Sequence, residues 1–465
     1  MEDSSTDDAE SRERRDAARR FAEEESTLRY RLRNQNFCLV VLLVVGVLTV
    51  TCACGAIVSA VIEHFWTSIN DVDEPRSGSN VASDSGPAHG GKSPSQVVMQ
   101  RMSGEEATRA IFCFVNYSVS SGSPHRFDVD NATAVLCDAL VFVSVRVHPA
   151  QSGLRFRRAA QDSEALQSLV TLAGSSATAW ACVGGEPSDS ADFEELVSDK
   201  RSRIAFVHNA VAWSRRMGVA GLLLYWKYPS SDLRSSYNTF INTMRSVLER
   251  DSLRVSVVVP WQTTKRQDGY FIHALYKHLD FVVVDTHRTI DPASFPVTTC
   301  QSPMRAAFRA QNHGQSGLSS VLDDLSLSAD HFLAKTMMSV SFASVTFTLK
   351  RPWLRHARPG MRALGPGRPL GRTNRSGLAS YYDVAKALAS NASWHRETHS
   401  YSRCSMARLG DQWIGLEDSS SLRGKRSLVR KTAGLAVWDL PMDDFAGEMG
   451  PPWPLLREAH GLVHG

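Results

Sequence analysis

Residues 177–229 read ATAWACVGGEPSDSADFEELVSDKRSRIAFVHNAVAWSRRMGVAGLLLYWKYP. Two short apolar runs, ATAWACV from Ala177 and GLLLYW from Gly221, enclose a longer amphipathic stretch that begins at Phe193. Short apolar runs are typical of buried strands, and apolar residues at helical spacing between them are typical of a covering helix. The segment therefore predicts a strand–helix–strand unit, which implies a parallel sheet.

Apolar runs of this kind recur along the chain, and amphipathic stretches separate several of them. Eight strand–helix units predict an α/β fold, the (β/α)8 TIM barrel, with functional loops at the C-terminal ends of the strands. About 88 residues separate the seventh run from the eighth, which is too many for one helix and predicts a small α+β insertion at about residues 346–418. The eight runs are IFCFVNY from Ile111, ALVFVSVRV from Ala139, ATAWACV from Ala177, GLLLYW from Gly221, VSVVVPW from Val255, FVVVD from Phe281, MMSVSFASV from Met337 and GLAVW from Gly434.

The composition of the 465 residues is that of an ordinary globular protein, with 43% hydrophobic and 22% charged side chains. These values exclude wholesale disorder and a membrane protein with many spans. The formal net charge of +4 is too small over this length to indicate a nucleic-acid-binding protein. Neither metal-ligand spacing nor a phosphate-binding glycine loop occurs, so the sequence predicts no metal and no cofactor.

One long apolar segment lies near the N-terminus. Residues 37–62 form 26 residues without a charge, against the roughly 20 needed to cross a bilayer. Arg29, Arg31 and Arg33 precede the segment, which by the positive-inside rule predicts a cytoplasmic tail at residues 1–36. We expect a retained signal anchor and a type II single-pass protein of the plasma membrane or a secretory-pathway membrane. The alternative is a buried core helix of a soluble protein.

The residues after this segment predict a stalk and then a globular portion. Residues 63–108 contain SGSNVASDSGPAHGGKSPS, a composition that cannot bury enough apolar surface to fold, so we expect a flexible extracellular stalk. The barrel is expected at residues 109–458. Four N-glycosylation triplets lie on the side predicted to be outside, although such triplets also occur by chance. They begin at Asn116, Asn131, Asn374 and Asn391.

Seven motifs follow one another from strand one to strand eight: CFVNY from Cys113, VGG from Val183, YWKYP from Tyr225, LDFVVV from Leu279, YYDVAKAL from Tyr381, QWIGLED from Gln412 and GLAVWDLPMDDFAG from Gly434. In content and order they resemble the chitinase and chitinase-like glycoside hydrolases of family 18, over residues 111–456. The resemblance implies a TIM barrel that takes chitin or a related N-acetylglucosamine-containing glycan without a cofactor.

The resemblance also bears on the cysteines. It implies a disulfide between Cys113 and Cys137. Cys300 and Cys404 then remain as a pair by elimination. Cys182 lies inside an apolar strand and is expected to be a buried free thiol that behaves as a small hydrophobic side chain.

The fourth strand departs from the pattern of active family members. Where that pattern resembles DGxDxDWEYP, this chain reads AGLLLYWKYP from Ala220, so Leu223, Tyr225 and Lys227 replace carboxylates. Strand alternation places these three side chains on one face, which in the family points into the barrel. An ammonium is a poor acid for a glycosidic oxygen, and its charge opposes the oxocarbenium-like transition state. The sequence therefore predicts a catalytically inactive member, a pseudoenzyme.

Other carboxylates lie near the predicted C-terminal ends of strands. Glu186, Asp285 and Asp439 are the candidates for a rebuilt acid/base pair, which would make the protein an active chitinase. The alternative is that they form ion pairs with neighbouring basic residues. Lys227 with Asp285 or with Glu186 is then an expected internal pair.

Aromatic and polar residues predict where a glycan binds. The resemblance implies that Trp438 floors the sugar site, since an aromatic face stacks on a pyranose ring; the alternative is a plain core residue. Trp261, Asp285 and His287 are further candidates at strand ends, and His287 replaces a family tyrosine. Trp226, on the opposite alternation, is expected to pack against helices.

The predicted insertion contains a basic segment. Residues 351–375 hold seven arginines and no acidic residue, which predicts either a docking site for an anionic partner such as a sulfated glycan or a solvated loop. Taken together, the sequence predicts a membrane-anchored, inactive chitinase-like protein that binds chitin or related glycans. The alternatives are a protein-interaction or growth-factor-like scaffold and an active chitinase.

Overall fold

The computed structural model describes residues 109–117, 127, 130–174, 176–287, 290–306, 317–352 and 358–465. All of them belong to one compact unit. The predicted tail, span and stalk, residues 1–108, lie outside the described residues.

The predicted single-pass membrane localisation is corrected, because within the ranges that the structure describes no helix is both long and apolar enough to cross a bilayer. The longest of these helices, Lys200–Met217, has 18 residues and carries basic side chains in both its first and its last turn.

The predicted (β/α)8 barrel is confirmed. Eight parallel strands pair in the order β1-β15-β8-β7-β6-β5-β4-β2, and the pairing of β1 with β2 closes the ring. Strand β3 extends β2 as an antiparallel hairpin. The strands are β1 (Ala110–Asn116), β2 (Ala139–His148), β3 (Gly153–Phe156), β4 (Thr178–Gly184), β5 (Gly221–Tyr225), β6 (Arg254–Pro260), β7 (Val282–Asp285), β8 (Thr336–Ser341), β9 (Ser344–Leu349), β10 (Ala363–Pro366), β11 (Leu378–Ala379), β12 (His395–His399), β13 (Cys404–Leu409), β14 (Gln412–Leu416) and β15 (Gly434–Trp438).

Helices cover the outside of the barrel, except α9 (Tyr381–Ser390), which belongs to the segment between β8 and β15. The last of them ends at His464, so the barrel unit continues past residue 458. The helices are α1 (Asn131–Leu136), α2 (Ala159–Ala173), α3 (Ser190–Ser198), α4 (Lys200–Met217), α5 (Arg234–Leu248), α6 (Thr263–Gly269), α7 (Ile272–His278), α8 (Leu318–Ser328), α9 (Tyr381–Ser390), α10 (Ser419–Arg423), α11 (Arg426–Val429) and α12 (Pro454–His464).

The amphipathic stretch between β4 and β5 forms two helices, α3 and α4. Asp199 interrupts the stretch with an extended backbone, and its carboxylate accepts a hydrogen bond from the Ser202 N–H at 2.6 Å. A carboxylate that satisfies a free N–H at a helix start stabilises that start. Helix α4 ends at Met217, and Gly218 caps it with a φ of +76°, which suits glycine.

Strand β5 shows why the barrel strands read as continuous apolar runs. Leu223 and Tyr225 point into the barrel, whereas Leu222 and Leu224 pack between the strands and the helices. Both faces are therefore buried, which is characteristic of parallel strands. Trp226 lies on the outer face, with its ring 5.5 Å from that of Phe193 on α3, as its alternation predicts.

An insertion lies between β8 and β15. It contains a sheet of six strands in the order β10-β9-β14-β13-β12, with β11 on β9, and helix α9. Its strands run from residue 344 to residue 416.

The described part of the arginine-rich segment belongs to this sheet through β10. Arg368 pairs with Asp411 at 2.7 Å and Arg372 pairs with Glu448 at 2.5 Å, so part of its charge is neutralised within the chain. Residues 353–357 lie outside the described residues.

Two disulfides are present. The disulfide Cys113–Cys137 joins β1 to the end of α1, just before β2. The disulfide Cys300–Cys404 joins the loop after β7 to β13 of the insertion. Both pairs match the sequence predictions. Cys182 is a free thiol inside the barrel, and burial raises its pKa to about 12. It therefore behaves as a small apolar side chain.

Candidate functional site

A cleft of about 630 Å³ lies at the C-terminal ends of the barrel strands. Tyr225 at the end of β5 and Lys227 just beyond it line one side of the cleft. Trp438 and Asp439 at the end of β15 line another side, and His287 follows β7. This is the end of a TIM barrel at which functional residues collect.

The side chain of Tyr225 is fixed beneath the cleft. It is 2% exposed, and its hydroxyl donates a hydrogen bond to the Asp285 carboxylate. Burial raises the pKa of Tyr225 well above its ordinary value, and the neighbouring Asp285 charge raises it further. Gly185 permits this position, because a Cβ there would lie 3.2 Å from the ring. Tyr225 is therefore a neutral donor that packs the top of the barrel, above the fully buried Leu223.

Lys227 is half-buried at the mouth of the barrel. Its Nζ lies 4.5 Å from the centroid of the Tyr225 ring, which is a cation–π contact. The predicted ion pairs with Asp285 and Glu186 are wrong. Asp285 is instead engaged by Tyr225, and Glu186 pairs with Arg157 at 3.2 Å. Within the residues that the structure describes, Lys227 has no carboxylate at ion-pairing distance.

His287 and Asp285 form a buried polar pair under the cleft. The His287 Nδ1 lies 3.0 Å from Asp285 Oδ1 and 2.8 Å from the Ser339 hydroxyl. Burial lowers the pKa of His287 below its ordinary value, and the Asp285 charge opposes this effect in part. The imidazole is therefore neutral near pH 7. Arg288, the next residue, lies outside the described residues.

The three candidate carboxylates occupy separate places. Asp285 is buried below Tyr225, whereas the Glu186 side chain is 59% exposed at the rim. Asp439 accepts a hydrogen bond from the Ser341 hydroxyl at 2.6 Å. None of these carboxylates stands on β5.

Trp438 lines the cleft but is only 6% exposed. Phe114 stacks on its ring with a centroid distance of 4.0 Å, and the His287 ring lies at 5.1 Å. Trp261 is half-buried against the outer core and does not contribute to the cleft lining. The structure therefore brings Trp438 and His287 together and leaves Trp261 apart.

A sequence model described as "Glycosyl hydrolases family 18" matches residues 110–443. The chain belongs to this family. It is 22% identical to human chitinase-3-like protein 2 over 381 residues, which are 78% of this chain and 94% of that protein.

Two solved structures share the fold of this family 18 chain. Ostrinia furnacalis Group IV chitinase, solved with allosamidin, has 21% sequence identity and a TM-score of 0.70, and the match covers 76% of this chain and 98% of that one. Human YKL-39, described as a pseudo-chitinase with retained chitooligosaccharide binding properties, has 20% identity and a TM-score of 0.69. That match covers 77% of this chain and 100% of the other.

The sequence does not predict that several further residues line this family 18 cleft. Arg157 and Arg158 reach it from the end of the β2–β3 hairpin, and Gln301 and Arg375 reach it from the loop after β7 and from the insertion. No local motif marks them, because separate elements bring them to the cleft. The glycosylation candidate Asn116 also lines the cleft.

The other glycosylation triplets lie elsewhere. Asn374 and Asn391 are exposed on the insertion, and Asn131 begins α1. Their modification remains a prediction.

Proposed function

We propose that this family 18 chain binds N-acetylglucosamine-containing oligosaccharides, such as fragments of chitin, in the barrel-mouth cleft without hydrolysing them. The observation that carries the proposal is Lys227, an ammonium at the strand position where active members place the proton-donating glutamate.

This chain lacks two groups that active members use, the proton-donating acid and the carboxylate that orients the substrate. General acid catalysis contributes about 10²- to 10⁴-fold to a reaction rate. Tyr225 occupies the position of the orienting aspartate, and its raised pKa and its bond to Asp285 keep it a neutral donor. The positive Lys227 opposes the positive charge that develops on the sugar in the transition state. Both changes act against hydrolysis.

Binding does not require these carboxylates. The cleft remains open, and Trp438 and His287 line it beside hydrogen-bonding groups such as Gln301. The description of human YKL-39 as a pseudo-chitinase with retained chitooligosaccharide binding supports a family barrel that binds without catalysis.

Calorimetric titration of the full-length chain with chitohexaose tests the binding. We expect Trp438→Phe to weaken the affinity about tenfold, since it removes part of the aromatic surface in the cleft. Trp261→Phe is the matched control, because Trp261 lies outside the cleft lining. Equal affinities in both variants and the wild type would place the sugar elsewhere.

A second candidate function is a protein-interaction scaffold that binds no glycan. The small exposed fraction of Trp438, 6%, favours it, since Phe114 and His287 leave little ring surface for a sugar. Failure of chitohexaose to bind would support this candidate over the first. Release of shorter oligosaccharides by the wild-type chain would refute both.

A further inference from the structure

Four cationic side chains line the cleft, and carboxylates neutralise two of them. Arg157 pairs with Asp189 at 2.6 Å and with Glu186 at 3.2 Å. Arg158 pairs with Asp162 at 2.9 Å. These two arginines therefore take part in ion pairs at the rim of the cleft, and little of their positive charge is left uncompensated.

The other two cations are Lys227 and Arg375. In the part of the chain that the structure describes, neither has a carboxylate at ion-pairing distance. Arg375 is exposed, whereas Lys227 is half-buried with its ammonium over the Tyr225 ring. A charge in this partly desolvated position interacts with an opposite charge more strongly than it would in bulk water.

The remaining carboxylate of the cleft lining stands across the barrel mouth from Lys227. Asp439 follows β15, and β15 lies four strands from β5 in either direction round the ring. His287, which also lines the cleft, is neutral and adds no positive charge to it. Asp285 lies below Tyr225 and accepts the hydrogen bond of its hydroxyl, so this carboxylate does not pair directly with Lys227. Among the described residues, Lys227 therefore presents its ammonium to the ligand space without an ion-pair partner.

We propose that the preferred ligand of this cleft is an acidic oligosaccharide, in which a sugar bearing a carboxylate or a sulfate ester places its anionic group at Lys227. The inference rests on the proposed function, because it names the class of glycan that the same cleft binds. A neutral chitin fragment would cover Lys227 without a counter-charge, which is unfavourable for a buried cation. An anionic group supplies the counter-charge and accepts charge-assisted hydrogen bonds from the ammonium.

The test is calorimetric titration of the full-length chain with three hexasaccharides: chitohexaose, a hyaluronan hexasaccharide and chitohexaose sulfated on its primary hydroxyls. They are neutral, carboxylated and sulfated, respectively. We expect at least one acidic probe to bind about tenfold more tightly than chitohexaose at low salt. The preference should shrink in about 0.3 M sodium chloride, because salt screens a partly exposed charge.

Lys227→Gln should bring the ratio of acidic to neutral affinity toward one. Lys265→Gln is the matched control, because the Lys265 ammonium also lies over a tyrosine ring, 4.3 Å from the centroid of Tyr228, but outside the cleft lining. It should keep the preference of the wild type.

Each outcome decides the inference. Preference for the carboxylated probe, the sulfated probe or both supports it and identifies the group. Equal affinity for all three probes overturns the inference and leaves the proposed function intact. A preference for acidic probes that remains in Lys227→Gln also overturns the inference, since another residue would then bind the anionic group. Failure of all three to bind refutes the proposed function and the inference together.

Discussion

Introducing two carboxylates at and just beyond the end of β5, by combining Tyr225→Asp with Lys227→Glu, should not produce hydrolysis. The resemblance to the family also implies that His287, after β7, stands in place of a tyrosine, and the double change leaves His287 as it is. The carboxylate introduced at position 225 would also lie against Asp285, the present acceptor of the Tyr225 hydroxyl. Two carboxylates that share a buried site raise the pKa of one of them, so both cannot be ionised there at low cost.

The structure gives the expected loss of stability. Tyr225 is 2% exposed and its ring lies 5.7 Å from that of Trp438, so truncation leaves a cavity at the top of the barrel. Replacing a buried aromatic ring by a small side chain costs about 3–5 kcal/mol. We therefore expect the free energy of unfolding to fall by at least about 3 kcal/mol in the double variant.

Urea unfolding followed by tryptophan fluorescence measures the stability, and chromatography of chitohexaose digests measures hydrolysis. Lys227→Glu alone is the control, since it retains the packed Tyr225 ring and should change stability by less than about 1 kcal/mol. Hydrolysis by the double variant would refute the reasoning, because β5 alone would then decide activity. An unchanged urea midpoint would refute the packing role of Tyr225.

Other predictions concern buried charges. Burial raises the pKa of Asp443 to about 7 from an ordinary 3.8, so the folded state favours its protonated form. The free energy of unfolding should therefore decrease as pH rises from about 4 to about 7. Asp443→Asn should flatten this part of the pH profile of stability. An identical profile in the variant would contradict a raised pKa for Asp443. Lys425 and Glu417 form a buried ion pair at 2.7 Å. Lys425→Met should lower the free energy of unfolding in urea by about 3–5 kcal/mol, because it leaves the buried Glu417 carboxylate without its partner. Combining Lys425→Met with Glu417→Gln should recover part of that loss. Equal stability of the wild type and the single variant would refute this.

The barrel could be predicted because its strands are buried on both faces. A strand such as β5, with Leu222 and Leu224 outside and Leu223 and Tyr225 inside, gives a continuous apolar run that local sequence reveals. The insertion was predictable from the length between the seventh and eighth runs. The break between α3 and α4 was not, because the whole stretch keeps helical spacing and the cap at Asp199 uses a single side chain.

The candidate site was predictable only where one strand carries it. Leu223, Tyr225 and Lys227 follow strand alternation, so their shared position could be read from sequence. The partners of Lys227 could not, because Asp285 and Glu186 come from other strands, and competing donors engage both of them. Pair distances between separate elements depend on barrel geometry that local pattern does not encode.

The most direct test of the central claim is mass spectrometry of chitohexaose after prolonged incubation with the full-length wild-type chain, beside calorimetric titration of the same preparation. We predict measurable binding with the hexasaccharide recovered intact. Shorter products that disappear in the Lys227→Gln variant would contradict the claim, since Lys227 would then take part in bond cleavage.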